Sequence, residues 1–300
     1  MQRYNNYHPE LKQICKILLL LSVCCIAAPR SGAQTADELM TEVRFLADSA
    51  RQGRGFGSAG ACASSFYIFR QFRNAGLRTS FQSFEAAGEA GHNVIGVTPG
   101  WFRSYIVVGA YFDGVGSFDG VGYPGADANA SGVAALLCMA RSLPQFCRGD
   151  VGLIFVAFDG HGAGLSGSRE FLARYSIEYP IGMMVNMELI GSTLEPTDPG
   201  KPEYLIALGG GGHRFSLDSA NAGLGLDISF SYYGSDNFTE LFYRRIGDQR
   251  WFLEAGIPSV MFTSGITDHT NKRSDTPETL SPLTFAKRCS LISRWIISML

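Results

Sequence analysis

The segment between Tyr105 and Ser168 places the strongest restriction on the fold. Residues 106–113, IVVGAYFD, and residues 151–159, VGLIFVAFD, are short apolar runs typical of buried strands. The segment GVAALLCMARSL, at residues 132–143, has the length and composition of an apolar helix. A strand, a helix and a second strand in this order form a unit in which the strands are parallel and the helix covers the sheet.

Strand and helix patterns continue on both sides of this unit. Further strands are predicted at residues 79–84, 92–97, 181–188, 204–208, 227–232 and 257–262, and further helices at 35–48, 61–74, from about Ser168, 215–222 and 282–299. In the helix at 61–74, the side chains of Phe66, Ile68, Phe69 and Phe72 are expected to point inward, and Ser235-Asp236-Asn237 is expected to open a loop. Because strands alternate with helices, the sequence predicts a three-layer α/β/α sandwich around a central, mostly parallel mixed sheet.

The amino-acid composition and net charge of the chain exclude some classes of function. The chain has 300 residues, of which 46% are hydrophobic, and this supports a substantial core. A formal net charge of −2 leaves no basic field for nucleic acid, so we expect no nucleic-acid partner. Nothing in the sequence indicates the oligomeric state.

The N-terminus has the pattern of a targeting segment. Arg3, Lys12 and Lys16 precede an apolar run at residues 17–28, and small residues at 31–33 offer a cleavage site. The apolar run is too short to span a bilayer. We therefore predict a signal peptide at residues 1–33, a domain at 34–300, and an exported protein, periplasmic or extracellular, that does not span the membrane.

Four cysteines remain in the predicted mature chain, namely Cys62, Cys138, Cys147 and Cys289. An oxidising compartment would permit disulfides, and four cysteines allow three pairings. Their spacing matches no zinc motif. The sequence leaves open both the pairing and the alternative that they are free thiols.

Five short segments near the predicted strand ends carry a recognisable pattern: Tyr111-Phe112-Asp113, the run GADANASG at residues 125–132, the run DGHGAGLSGS at residues 159–168, the run NMELIG at residues 186–191, and His269 ahead of Asp275-Thr276-Pro277. In order and flanking residues they resemble the motifs of the secreted co-catalytic zinc aminopeptidases. These form family twenty-eight of the metallopeptidases, which also contains the glutaminyl cyclases. The resemblance covers most of the chain after residue 36.

The resemblance implies a site for two zinc ions, about 3.5–4 Å apart, with one bridging carboxylate and a general base. Of the ligand positions, His269 is intact and Glu188 replaces an aspartate. The other three ligands are replaced by Tyr111, Ala128 and Gly162, and His161 takes the position of the general base. Most of the donor atoms of a two-zinc site are therefore missing, and we expect no resident zinc, or one weakly bound ion.

The resemblance therefore predicts a pseudopeptidase that binds peptides or amino acids in a vestigial cleft. The cleft residues are expected to be Tyr111, Asp113, Asp127, Asn129 and Asp236, although Asp127 and Asn129 could simply cap the following helix.

Two alternatives remain. One is a metal-dependent hydrolase with a rewired single-metal site of His161, Glu188 and His269. The other, a serine hydrolase that uses Ser166 or Ser168 with His161 and Asp159, is disfavoured because the nucleophile-elbow pattern lacks its last glycine.

Overall fold

An eight-stranded mixed sheet lies at the centre of the computed structural model, which describes residues 35–232 and 235–300. The strands are β1 (Arg78–Ala86), β2 (Glu89–Val97), β3 (Ser104–Tyr111), β6 (Val151–Phe158), β7 (Ile181–Met187), β8 (Tyr204–Leu208), β9 (Asp227–Ser229) and β10 (Ser259–Thr263), while β4 (Ser117–Phe118) and β5 (Val121–Gly122) form a separate small hairpin. The predicted signal peptide at residues 1–33 lies outside the described residues.

Eight helices are described, and several of them connect consecutive strands. They are α1 (Ala36–Leu46), α2 (Ala59–Asn74), α3 (Gly132–Ser142), α4 (Ser166–Glu178), α5 (Arg214–Ala220), α6 (Asp236–Arg245), α7 (Gln249–Glu254) and α8 (Pro282–Ile297). Helix α1 begins with a capping box, in which Thr35 accepts from the backbone N–H of Glu38 and the Glu38 side chain accepts from that of Thr35. In the described part of the chain, no helix combines the length and the apolar character needed to cross a bilayer.

The order of strands across the sheet is β1-β2-β6-β3-β7-β10-β8-β9. The four central strands, β6, β3, β7 and β10, are parallel. The pairs β1–β2, β2–β6 and β10–β8 are antiparallel, and β9 is parallel to β8. The predicted mixed and mostly parallel sheet is confirmed. The carboxyl ends of the central strands meet at one edge, where open α/β sheets bind their ligands.

Alternate residues of the central strands enter two separate cores. Ile106 and Val108 of β3 pack with α1, α2, α3 and α8, whereas Tyr105 and Val107 pack against α4 and α7. Because side chains of a strand point alternately to opposite faces, helices cover both faces of the sheet. The predicted three-layer sandwich is therefore correct.

Two local predictions were wrong. Ser235-Asp236-Asn237 starts helix α6 rather than a loop, because the Ser235 side chain caps the helix by accepting from the backbone N–H of Phe238. Phe66 on α2 is 61% exposed, whereas Ile68 and Phe72 are fully buried as expected. The helical pattern predicts which face of α2 points inward. It does not predict whether the sheet extends far enough to cover the residues at the edge of that face.

All four cysteines of the described part of the chain are free thiols. Cys138 and Cys289 are buried, Cys147 is partly buried and Cys62 is exposed. Burial raises the pKa of Cys138 to about 12 and that of Cys147 to about 11, which leaves both thiols protonated and unreactive at neutral pH.

Candidate functional site

The ends of three neighbouring strands bring the principal site residues together. Tyr111 is the last residue of β3, His161 lies three residues beyond β6, and Glu188 directly follows β7. Since β3 pairs with both β6 and β7 in parallel, these residues converge at the carboxyl edge of the sheet. The convergence of Tyr111, His161 and Glu188 follows from this topology alone.

A carboxylate from another part of the chain completes the cluster. His161 Nδ1 lies 3.0 Å from Oδ2 of Asp248, which is fully buried just before α7. His161, Glu188 and Asp248 each offer a ligand atom, and these atoms lie within 4.8 Å of one another. Glu188 Oε1 also accepts from Asn186 Nδ2 at 2.8 Å and from the backbone N–H of Asp248 at 3.4 Å.

The charges of this cluster favour a protonated histidine. Burial lowers the pKa of His161, but the hydrogen bond to Asp248 and the charges of Asp248, Glu188 and Asp113 outweigh it and raise the pKa to about 9. Burial raises the pKa of Glu188 to about 7, and the positive charge of His161 limits that rise. At neutral pH the centre of the site is therefore an imidazolium–carboxylate pair in which Asp248 is fully buried and His161 is partly exposed.

Tyr111 packs flat against His161. The two rings are stacked with centroids 3.7 Å apart and an interplanar angle of 17°. Burial, followed by the charges of Glu188 and Asp113, raises the pKa of Tyr111 well above its ordinary value. The phenol therefore stays protonated, and Tyr111 covers the histidine ring instead of offering a phenolate to a metal.

Asp113 holds the loop that carries His161. Its Oδ1 accepts from the backbone N–H of His161 at 3.0 Å and its Oδ2 from that of Gly162 at 3.2 Å. Burial raises the pKa of Asp113 to about 6, against the opposing effects of the His161 charge and these two hydrogen bonds. Asp113 thus positions His161 through the backbone.

The loop at residues 125–132 supplies structure rather than donor atoms. Asp275 accepts from the backbone N–H groups of Asp127 and Ala128 at 2.8 and 3.0 Å. Asn129 Oδ1 accepts from the backbone N–H of Gly132, the first residue of α3, whereas the N-cap residue of this helix is Ser131, whose side chain makes no capping hydrogen bond. Asp127 instead accepts from the Ser131 hydroxyl and from the backbone N–H of Gly191.

Two residues expected at the site, His269 and Asp236, are not members of the cluster of His161, Glu188 and Asp248. His269 follows β10, and its Nδ1 is buried without a hydrogen-bond partner in the described structure. The group that the structure assembles contains Asp248 in place of His269. Asp236 is the first residue of α6, and its side chain lies outside the described part of the chain.

The serine alternative does not fit the geometry. The Ser166 hydroxyl donates to the Gly160 carbonyl, and the Ser168 hydroxyl donates to the Leu165 carbonyl. Asp159 accepts from the backbone N–H groups of His92 and Gly160. His161 is paired with Asp248, so these residues form no nucleophile–base–acid chain.

Arg54 holds the loop before Ala128 in place. Its buried guanidinium donates to the carbonyls of Leu46, Phe112, Pro124 and Gly125 at 2.5 to 2.9 Å. These four acceptors join the end of α1, the end of β3 and the loop before Ala128.

We expect Arg54→Lys to lower the free energy of unfolding by at least about 2 kcal/mol, because an ammonium cannot reproduce the planar fork and leaves buried carbonyls unpaired. Urea denaturation measures this loss. Arg103→Lys is the matched control, since the Arg103 side chain is 85% exposed. Equal effects of the two substitutions would contradict the positioning role of Arg54.

Sequence patterns did not reveal Asp248. It lies about 60 residues beyond Glu188 in Gly247-Asp248-Gln249, just before the short helix α7, and no motif recognised in the sequence includes it. The available signal is an acidic residue just before a short amphipathic segment that precedes β10. Only the fold shows that this segment packs over the end of β7.

The donor set does not fit two zinc ions. Ala128 and Gly162 offer no side-chain donor, and Tyr111 is held as a phenol. His161, the only imidazole in the cluster, is engaged with Asp248. A site for two zinc ions needs about three protein ligands for each ion, and these residues do not supply them.

Comparisons with known proteins agree with the fold. The model of peptidase family M28 matches residues 93–296. An Escherichia coli (strain K12) protein named as uncharacterized, YfbL, is 29% identical over 174 residues, which are 56% of this chain and 53% of that protein. The chain thus spans about half the length of this curated relative.

Solved structures superpose well at low sequence identity. BSAP, a zinc aminopeptidase from Bacillus subtilis, gives a TM-score of 0.70 at 15% identity, over 88% of this chain and 95% of BSAP. The glutaminyl cyclase of Porphyromonas gingivalis gives 0.69 at 18%, over 89% and 99%. The LapA aminopeptidase of Legionella pneumophila gives 0.72 at 14%, over 88% and 71%. At these identities the likeness shows the fold, and since the family model spans more than half of the chain, this protein belongs to peptidase family M28.

Proposed function

We propose that this chain is an exported, non-hydrolytic member of peptidase family M28 that binds the amino group of a peptide or amino acid at the carboxyl edge of its sheet. The observation that carries the proposal is the pairing of the partly exposed His161 with the fully buried Asp248, with Glu188 beside them. This pair occupies the centre of the site, and the residues around it lack the donors of a two-zinc site.

The charge around His161 supports a cationic ligand. Asp248, Glu188 and Asp113 all act on His161, so three acidic side chains surround one imidazolium. Asp248 Oδ1 is also buried without a hydrogen-bond partner in the described structure. An ammonium group could donate to this oxygen and to Glu188, and such charge-assisted hydrogen bonds are the strong ones.

The limited exposure of His161 and Asp248 favours a ligand with a small charged group. The side chain of His161 is 21% exposed and that of Asp248 is fully buried. A ligand therefore meets His161 first, and only a compact group such as an amine can reach the carboxylates behind it. The signal pattern at residues 1–33 supports the export part of the proposal.

Calorimetry with L-leucine amide and its N-acetyl derivative tests the proposal. The measurement is made near pH 7.5, just above the Glu188 pKa of about 7 and just below that of an α-amino group, roughly 7.7–8.0. Acetylation and Glu188→Gln should each weaken binding by about ten-fold or more, because each removes one partner of a charge-assisted hydrogen bond.

Glu254→Gln is the control variant because Glu254 is an exposed glutamate on α7 that pairs with Arg250. Equal affinity for the amine and its acetylated form would refute the proposed recognition, as would the absence of any binding.

A second candidate function is a hydrolase with one metal ion. His161, Glu188 and Asp248 are favoured for it because their ligand atoms lie within 4.8 Å of one another, and one imidazole with two carboxylates is an acceptable zinc set. Binding would require His161 to lose its proton and to leave Asp248. Zinc-dependent cleavage of an aminoacyl-anilide that Asp248→Ala abolishes would favour this candidate over the first.

A further inference from the structure

One end of the central sheet is a long strand edge. Strand β1, Arg78–Ala86, pairs with β2 on one side and is the last strand of the sheet in the described structure. From Thr79 to Phe84 the strand contains no charged residue. Natural proteins usually protect long edge strands with charges, prolines or a covering element, because an unprotected edge is a template for another strand.

The register shows which backbone groups face outward. The β1–β2 hairpin has a two-residue turn at Ala87 and Gly88, so Ala86 and Glu89 form the first hydrogen-bonded pair. Hydrogen-bonded and non-hydrogen-bonded pairs alternate along an antiparallel ladder. Thr79, Phe81, Ser83 and Glu85 therefore direct their N–H and C=O groups away from β2.

An exposed aromatic side chain lies beside this edge. Phe66 of α2 is 61% exposed, and its ring packs edge-on against Phe81 with centroids 5.1 Å apart. The ring of Phe69 also stacks on that of Phe81, with centroids 4.5 Å apart. A strand added to β1 on this face would cover the apolar surface that Phe66 and Phe81 present.

We propose that β1 pairs with β1 of a second copy of this chain in an antiparallel, two-fold symmetric dimer that buries Phe66. A two-fold axis at Phe81 places Phe81 opposite its own copy and Thr79 opposite Ser83. The same register places Glu85 opposite Leu77, which follows the arginine-bearing end of α2 at Arg70 and Arg73. No like charges face each other in this register, and the acidic end of one strand meets the basic end of the partner's helix.

Analytical ultracentrifugation of the full chain over a concentration series tests this interface. The wild-type protein should sediment as a dimer, and Phe66→Arg should raise the dimer dissociation constant by about ten-fold or more, as expected for an aromatic residue that becomes buried in an interface. Ser83→Pro should do the same, because it removes an outward N–H group and leaves the ladder to β2 intact. Circular dichroism shows whether each variant is folded.

Phe215→Arg is the matched control, because Phe215 is an 88% exposed phenylalanine on α5, a helix that packs against α8. It should leave the dimer unchanged. A wild-type protein that is monomeric at all concentrations would overturn the proposal. Strand β1 would then be available to pair with an extended segment of another protein. A dimer that Phe66→Arg does not weaken would overturn it equally.

Discussion

Asp248→Asn is expected to lower the free energy of unfolding by about 3 kcal/mol at pH 6 in metal-free buffer. The substitution keeps the shape of the side chain but removes the negative charge that His161 faces at 3.0 Å. A buried charge that loses its partner is strongly destabilising, because no attraction to an opposite charge then offsets the loss of its hydration. Urea denaturation of both proteins gives the difference.

The pH dependence identifies His161 as the cause. Its pKa is raised from 6.5 in the unfolded chain to about 9 in the folded protein, so its contribution is fully present below pH 6.5. That contribution is lost as the pH rises from 6.5 through 9. The difference between wild type and Asp248→Asn should therefore shrink over this window and become small at its upper end.

The difference between the two proteins is the quantity to follow, because Glu188 also titrates. Its pKa is raised from 4.5 to about 7 in the wild type, in part by the charge of Asp248, so its own contribution is present below pH 4.5 and is lost as the pH rises through 7. Above that pH, the remaining change in the difference reports on His161. Asp150→Asn is the control, since Asp150 is an exposed surface partner of Arg103 and should contribute less than about 0.5 kcal/mol. A difference for Asp248→Asn that does not vary with pH would contradict the imidazolium–carboxylate pair.

Restoring the missing donors is expected to turn the chain into a zinc-binding protein. The variant combines Tyr111→His, Ala128→Asp, His161→Glu, Gly162→Glu and Glu188→Asp. The backbone has room for a side chain at Gly162, because a Cβ there would meet only Asp113 Oδ2, at 3.8 Å. The variant should bind about two zinc ions per chain, as a co-catalytic site does. At one hundred times the dissociation constant, zinc should raise its free energy of unfolding by about 2.7 kcal/mol.

Without zinc, the same variant should be less stable than the wild type. It replaces the cation of the cluster by acids while Asp113 and Asp248 remain buried nearby. The matched control carries the other four substitutions and keeps Ala128, so it lacks the bridging carboxylate. If the five-substitution variant folds but takes up no more zinc than this control, then the backbone of the site has diverged along with its ligands.

The sequence was sufficient for the fold because its strongest patterns are local. The apolar strands that end at Tyr111 and Phe158, and the helix between them, occur where the pattern places them. Parallel pairing of these strands then brings Tyr111, His161 and Glu188 to one edge. The loss of donors at Ala128 and Gly162 is also readable from the sequence, because a methyl group or a hydrogen atom cannot bind a metal.

The partner of His161 could not be predicted because it depends on a long-range contact. Asp248 reaches the site only because α7 packs beside β7 and β10, and no local pattern encodes that packing. Phe66 was assigned to the core for a similar reason, since helical periodicity does not show where the sheet ends beside α2. Asp275 was recognised only as part of a motif, and its hydrogen bonds to Asp127 and Ala128 depend on the folded loop.

Zinc titration of the wild-type chain tests the central claim most directly. The protein is purified without chelator and its metal content is measured, and its melting temperature is then followed as zinc is added. The pairing of His161 with Asp248 predicts far less than one zinc per chain and a melting temperature that zinc leaves unchanged. A stoichiometric zinc content, or a rise of several degrees that Asp248→Ala abolishes, would show that the cluster is a metal site and would contradict the account.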